Sequence, residues 1–257
     1  MTHEEKRIYL IKNLLSEQPR YHDIKIPADE QGQKDLFRSL MNVRIPAPIS
    51  EDFQSVQDEY LQEEAHHKGI TDIADLEPVQ KGIYLWQGDI TTLKCDAIVN
   101  AANSQMLGCF NPCHGCIDNA IHTYAGVQLR NACYELMTAQ SHEEPTGQAK
   151  ITPAFNLPCK YVIHTVGPIV DGRLTDEDCE LLKSCYLSCL KVAEENDVKS
   201  IAFCCISTGV FGFPQNEAAQ IAVQTVMDYK EKHNSDIKVI FNVFKNDDLA
   251  IYKKVLQ

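Results

Sequence analysis

The sequence predicts an α/β protein with a largely parallel or mixed sheet, covered by helices on both faces and preceded by a helical section. Two observations predict this fold. From about residue 82, short apolar runs alternate with amphipathic helical segments, which is the pattern of strands joined by helices. Before that point, apolar residues recur at helical spacing. The 257 residues suffice for one domain plus an extension, which we place at 79–257 and 1–78.

The first section contains three helical segments. Thr2 and Glu5 have the spacing of a capping box ahead of an apolar helix face. Further helices are predicted over 33–43 and 51–66, with proline-containing stretches between them. These helices either recognise a partner or cover the main domain. We favour the second role, in which they only cover the domain.

The second section contains five strand candidates with helices between or after them. In order, the strands are GIYLWQ, CDAIVN, KYVIHTV, SIAFCCI and IKVIFNVF. The helices are predicted near 117–137, 176–196, 215–232 and 247–256. Thr175 is a suitable N-cap, and Pro214 suits a helix start. In such sheets ligands bind outside the carboxyl ends of the strands, so the motifs at those ends are the candidates for ligand binding.

Composition narrows the class of protein. The net charge of −12 argues against binding to nucleic acid or to an anionic membrane, and no apolar run reaches the roughly 18 residues of a membrane span. The N-terminus does not resemble a secretory signal. Eleven cysteines are an odd number for a disulfide framework. Cys185 and Cys189 fit buried positions on a helix, and Cys204 and Cys205 fit buried positions on a strand. We therefore expect a reduced, cytoplasmic compartment.

Three motifs lie at predicted strand ends. In GDIT, the Asp89 carboxylate can accept a hydrogen bond from an adenine amino group, although Gly-Asp is also a common turn pair. In NAAN, Asn103 offers the donor and the acceptor that ribose hydroxyls need, although Asn is common at strand exits. In STGVFGF, residues 207–213, backbone N–H groups can approach phosphate oxygens, although the loop alone is no more than a strand–helix connection.

A fourth segment, GCFNPCHGCIDNAIH at 108–122, gathers four potential metal ligands. Cys109, Cys113, His114 and Cys116 supply the thiolate and imidazole groups that zinc prefers. One compact cluster predicts three protein ligands and an open fourth position, as in a catalytic site. The alternative is that these cysteines are incidental in a cysteine-rich chain.

The order GDIT, VNAAN, IHTVGP (163–168) and STGVFGFP (207–214) resembles the macrodomain family over roughly residues 82–257. The resemblance implies a three-layer α/β/α domain with a mixed sheet and a cleft for ADP-ribose. By matching motif, Asp89 and Ile90 would meet adenine, and Asn103 would contact the distal ribose. The residues that would surround the diphosphate and neighbouring ribose are Ser207, Thr208, Gly209, Val210, Phe211 and Gly212.

The 108–122 segment departs from the common pattern, in which NAAN precedes a glycine-rich loop. It resembles the zinc-dependent macrodomains, a subgroup associated in microbes with sirtuins that attach ADP-ribose. The subgroup's C-x4-H-x-C pattern selects Cys109, His114 and Cys116 as ligands of one zinc ion per chain. Cys113 would then be the spare thiol, although by spacing alone it can replace Cys109.

The resemblance predicts a zinc-dependent hydrolase that removes mono-ADP-ribose from protein side chains, with Asp or Glu esters favoured because a carboxylate leaves readily. Asn103 would hold the ribose, and Asp118 would act as general base or orient the nucleophile. His122 and His164 are expected to be satisfied structural histidines. The alternatives are a reader that only binds ADP-ribose and a hydrolase of small derivatives such as O-acetyl-ADP-ribose.

Overall fold

The computed structural model describes residues 1–257 and begins with a bundle of three helices. These are α1 (His3–Ser16), α2 (Glu30–Val43) and α3 (Glu51–Lys68). The predicted capping box of Thr2 and Glu5 is present at the start of α1. The bundle packs around its own apolar cluster, in which Leu10, Phe37 and Tyr60 are joined by Val127 from the rest of the chain.

The remaining chain alternates strands and helices. Its elements are β1 (Thr71–Asp72), β2 (Ile83–Gln87), β3 (Leu93–Lys94), β4 (Ala97–Ala102), α4 (Ile117–Ala125), α5 (Val127–Gln140), β5 (Ala149–Pro153), β6 (Tyr161–Val166), α6 (Asp176–Glu195), β7 (Ser200–Phe203), α7 (Gln215–His233), β8 (Lys238–Val243) and α8 (Asn246–Val255). Six strands form one sheet in the order β2-β8-β7-β4-β6-β5, and the short strands β1 and β3 pair separately. Only β5 runs antiparallel to its neighbour in the large sheet, so the predicted mixed sheet is confirmed.

Helices cover the sheet and complete the predicted three-layer α/β/α fold. α4 packs against β4, α5 against β5, α6 against β5 and β6, and α8 against β2 and β8. The apolar strands and the inner faces of these helices share one large core cluster. Thr175 forms a capping box with Asp178 at the start of α6, as its N-cap role predicted, and Pro214 immediately precedes α7.

Two predicted elements are shorter than expected. The single helix over 117–137 is wrong, because Gly126 at φ +93° separates α4 from α5. A side chain at Gly126 would also collide with Gln57, since an added Cβ lies 2.7 Å from its amide nitrogen. The strand SIAFCCI ends at Phe203, so Cys204 and Cys205 are not strand residues as predicted. Cys204 is nevertheless buried in the core.

All eleven cysteines are free thiols, as expected for a chain without a disulfide framework. Cys185 and Cys189 are fully buried on α6, which confirms their core role. None of the helices combines the length and the apolar character that crossing a membrane requires.

Candidate active site at the carboxyl edge of the sheet

The motif residues form a row along the carboxyl edge of the sheet. The five parallel strands end at the same edge in the order β2, β8, β7, β4, β6. β2 leads to Asp89, β8 to Phe244, β7 to the loop 207–212, and β4 to Asn103. The strand order therefore sets the order of these groups from one end of the row to the other.

Asp89 at the first end of the row is held as a carboxylate. Its Oδ1 accepts hydrogen bonds from the Thr91 amide at 3.0 Å and the Thr91 hydroxyl at 2.6 Å. Its Oδ2 accepts from Lys68 Nζ at 3.1 Å, and this ammonium also lies 3.2 Å from the centre of the Tyr124 ring. Burial alone would raise the pKa of Asp89, but the Lys68 charge and the Thr91 bonds outweigh it and lower that pKa.

Two neighbours of Asp89 differ from the sequence-based expectation. Ile90 is 1% exposed as a whole residue and belongs to the core, so neither its side chain nor its backbone presents an open surface to a ligand. Phe244 follows β8 and is 73% exposed beside the Asp89 end of the row. Sequence reasoning missed Phe244, although an aromatic residue at the very end of the apolar run IKVIFNVF was the available signal.

The loop 207–212, which we call the phosphate loop, is held by its own backbone. The Phe213 amide donates to the Ser207 carbonyl at 3.0 Å, and the Gly212 amide donates to the Gly209 carbonyl at 3.1 Å. The amides of Gly209, Val210 and Phe211 donate to no acceptor within the protein. Such free amides at a strand–helix connection suit an anionic ligand.

The phosphate loop is joined to the loop after β6. The Val170 amide donates to the Phe211 carbonyl at 2.8 Å, and β6 and β7 are the two strands that flank β4. Gly167 permits this approach, because an added Cβ would lie 2.0 Å from the Ser207 hydroxyl. The Ser207 hydroxyl is itself buried without a hydrogen-bond partner.

At the end of β4, three side chains form a linked polar group. Asn103 Nδ2 lies 3.4 Å from Asp118 Oδ2, and the buried Asn100 donates its Nδ2 to Asp118 Oδ1 at 2.8 Å. Burial raises the pKa of Asp118 to about 6. The structure therefore brings the two predicted catalytic residues together. It adds Asn100, which was not singled out from the sequence because it lies inside a strand.

Two buried histidines lie close to this group, and only one of them has hydrogen-bond partners. His164 is satisfied, with Nδ1 3.1 Å from Asn100 Nδ2 and Nε2 2.9 Å from the Thr152 hydroxyl. Burial lowers its pKa to about 3, so it is neutral. The expectation of a satisfied histidine is wrong for His122, since neither ring nitrogen has a hydrogen-bond partner and Nε2 lies 3.6 Å from Asp118 Oδ1. Burial also lowers the pKa of His122.

Residues 108–116, which we call the metal loop, connect β4 to α4 and bring three potential ligands together. The ligand atoms of Cys109, His114 and Cys116 lie within 4.8 Å of one another. His114 Nδ1 is buried and has no hydrogen-bond partner, which is the condition of a nitrogen available to a metal. Cys113 is not in this group, because its thiol contacts the Ser39 hydroxyl at 3.2 Å. Two thiols and one imidazole fit Zn²⁺ and leave a fourth position for another ligand.

An α/β/α sheet with free amides at one strand end and polar side chains at the flanking ends is the arrangement in which open-sheet α/β domains bind nucleotides. The Macro domain family model matches residues 99–222 of this chain. Over its whole length the chain is 62% identical to a protein-ADP-ribose hydrolase of Treponema medium, covering 100% of both chains. The chain belongs to the macrodomain family.

Two other relatives extend this result. A protein-ADP-ribose hydrolase of Staphylococcus aureus is 49% identical over 250 residues, covering 96% of this chain and 94% of that protein. The crystal structure of a Trypanosoma brucei macrodomain in complex with ADP-ribose is 30% identical with a TM-score of 0.67, covering 86% of this chain and 95% of that one. These alignments include much of the N-terminal region, which is therefore a shared part of these relatives.

Proposed function

We propose that this protein is a zinc-dependent hydrolase that removes mono-ADP-ribose from aspartate or glutamate side chains of modified proteins. The observation that carries the proposal is the order of groups along the sheet edge: a carboxylate, an exposed aromatic ring, free amides, and then an amide–carboxylate pair beside a metal-ligand cluster. ADP-ribose has its parts in a matching order, namely adenine, diphosphate and distal ribose. The names of the relatives support the same activity.

Each part of the ligand has a partner in this arrangement. Asp89 accepts a hydrogen bond from the adenine amino group, and the exposed Phe244 ring offers the base a flat apolar face. The amides of the phosphate loop bind the diphosphate oxygens. Asn103 then holds the distal ribose with C1″ towards the metal loop.

Cys109, His114 and Cys116 would hold one zinc ion. When bound, such an ion would supply a Lewis acid that polarises the attacking water. The fit rests on the donor set and on the unpartnered His114 Nδ1.

The protein's own residues direct the water that attacks. Asp118, held by Asn100 and Asn103, accepts a hydrogen bond from that water and takes its proton. The bond between C1″ and the carboxylate oxygen breaks, the water oxygen joins C1″, and the side chain leaves as a carboxylate. Free ADP-ribose and the unmodified protein are the products.

The proposed substrate is a mono-ADP-ribosylated protein made by a sirtuin-type ADP-ribosyltransferase, in a reduced cytoplasmic compartment. The support is the family resemblance of the metal loop and the eleven free thiols. We also propose that residues 1–78 and 79–257 are distinct units, because the first three helices have an apolar cluster of their own.

The test is incubation of the protein with a protein carrying carboxylate-linked mono-ADP-ribose, together with metal analysis. We expect about one zinc per chain and release of free ADP-ribose. Tight ADP-ribose binding without release would identify a reader instead. Release from O-acetyl-ADP-ribose but not from the modified protein would identify a small-molecule hydrolase. Less than about half an equivalent of zinc would contradict the metal site.

A further inference from the structure

One side chain of the N-terminal bundle reaches the backbone of a predicted zinc ligand. Arg38, in the middle of α2, donates Nη2 to the His114 carbonyl oxygen at 3.0 Å. The same guanidinium donates Nε and Nη2 to Asn119 Oδ1 at 3.0 and 2.7 Å. Arg38 therefore joins the metal loop to the first turn of α4.

Asn119 also bonds to the metal loop at two points, one on each side of His114 in the sequence. Its Nδ2 donates to the Asn111 carbonyl at 3.0 Å, and its amide N–H donates to Cys116 Sγ at 3.4 Å. Asn119 is fully buried, so its side-chain oxygen must find a donor within the protein. Arg38 supplies that donor with two N–H groups.

A second contact from α2 holds the strained point of the loop. Cys113 has φ +52°, the left-handed region that non-glycine residues avoid. Its amide donates to Asn42 Oδ1 at 2.9 Å, and Asn42 Nδ2 donates in turn to the Thr123 hydroxyl at 2.9 Å. Asn42 is fully buried and lies one helical turn beyond Arg38, so both contacts come from one face of α2.

We propose that Arg38 is a positioning residue of the metal centre and that the N-terminal helical region serves to hold the zinc ligands in place. This inference rests on the proposed zinc site and assigns a role to a part of the chain that lies outside the sheet. Groups that bond to a metal-binding segment fix the orientation of its ligands and so raise metal affinity. The planar guanidinium reaches two acceptors at once, which a lysine ammonium at the end of a flexible stem does not reproduce.

The test compares Arg38→Met with Arg44→Met in the full-length protein. Both changes remove a guanidinium from the C-terminal half or end of α2 and keep an apolar stem. The Arg44 guanidinium bonds only within the N-terminal region, to Glu17 and to the carbonyls of Ile45, Ala47 and Pro48. Arg44→Met therefore measures the cost of loosening the bundle without touching the metal loop. Zinc affinity is measured by competition with a chelator, and the ADP-ribose affinity of the metal-free protein by calorimetry.

We expect Arg38→Met to weaken zinc binding by about 10- to 100-fold, the range seen when outer partners of metal ligands are removed. Arg38→Lys should fall between wild type and Arg38→Met, whereas Arg44→Met should bind zinc as the wild type does. ADP-ribose affinity should stay the same in all variants. Alkylation of Cys113 in the metal-free protein should be faster in Arg38→Met than in Arg44→Met, because the loop loses its support.

Two outcomes would overturn the inference while the zinc site stands. One is unchanged zinc affinity in Arg38→Met, and the other is an equal loss in Arg38→Met and Arg44→Met, which would indicate general destabilisation. A wild-type protein that binds no zinc would instead overturn the proposed site and this inference with it. The wild-type measurement thus separates the two failures.

Discussion

The phosphate loop and the metal loop lie at the same edge of the sheet but are held in different ways. The phosphate loop is closed by bonds within or next to it in sequence, such as the one from the Gly212 amide to the Gly209 carbonyl. The metal loop is supported from α2, across 76 residues of sequence in the case of Arg38 and His114. One loop presents backbone amides and the other presents side chains.

This difference separates two tasks. Backbone amides bind an anion whatever residues carry them, so in the proposed function the phosphate loop serves affinity. Thiols, an imidazole and the Asp118 carboxylate are specific chemical groups, so in the proposed function the metal loop and Asp118 serve the reaction. We therefore expect changes in the phosphate loop to affect binding, and changes in the metal loop or at Asp118 to affect release.

The largest effect should come from His114→Ala. Loss of the imidazole should remove zinc and reduce the rate of ADP-ribose release by about 100-fold or more, while ADP-ribose affinity changes little. The matched control is Cys113→Ala, which removes a thiol of the same loop that faces Ser39 rather than the cluster. Zinc analysis, single-turnover release and calorimetry measure the three quantities. If Cys113→Ala lost as much zinc as His114→Ala, the ligand set would have to be revised.

Asp118→Asn should come next, and it separates the carboxylate from the metal. The change keeps the shape of the side chain but removes its ability to take a proton, so release should fall by about 100-fold. Zinc content and ADP-ribose affinity should match the wild type, because Asp118 is outside the ligand group. A rate within about threefold of wild type would contradict the role of Asp118 as base.

Gly212→Ala should weaken binding alone. Gly212 has φ +70°, and an added Cβ would lie 3.1 Å from the Val170 carbonyl oxygen, so the phosphate loop must shift. We expect ADP-ribose affinity to fall about tenfold with zinc content unchanged. Gly115→Ala is the control, since an added Cβ there meets nothing within 4 Å. Loss of zinc in Gly212→Ala would show that the two loops are not independent.

The smallest effect should come from Lys68→Met, which tests the adenine end. In the wild type the Lys68 charge opposes burial and lowers the pKa of Asp89, so ADP-ribose affinity should be flat above the ordinary aspartate pKa of about 4. Without that charge the pKa of Asp89 rises, and affinity should begin to fall at a higher pH as the carboxylate is protonated. Calorimetry at several pH values measures this, and identical profiles for both proteins would contradict it.

The sequence predicted local features well. Apolar runs indicated five of the six strands of the large sheet, and the missing one, β5, is an edge strand with the mixed sequence AKITP. The helix over 117–137 was predicted as continuous because helical spacing continues through Gly126. The break there depends on Gln57 and Asn156, which approach from distant parts of the chain.

The site was predictable where it depends on motifs and not where it depends on contacts. The ligand types in the metal loop and the phosphate-loop glycines can be read from the chain. The link from Asn100 to Asp118 and His164, and the contacts of Arg38 and Asn42, join residues that are far apart in sequence and have no local pattern. Their roles follow only from the fold.

The separation of binding from reaction is tested most directly by returning zinc to the metal-free protein. ADP-ribose affinity and the rate of release from a carboxylate-linked substrate are measured on the same samples as zinc is added. We predict that the rate rises in proportion to zinc and reaches its maximum at one equivalent per chain, while the affinity stays constant. Full release from protein proven to be free of metal would contradict the account.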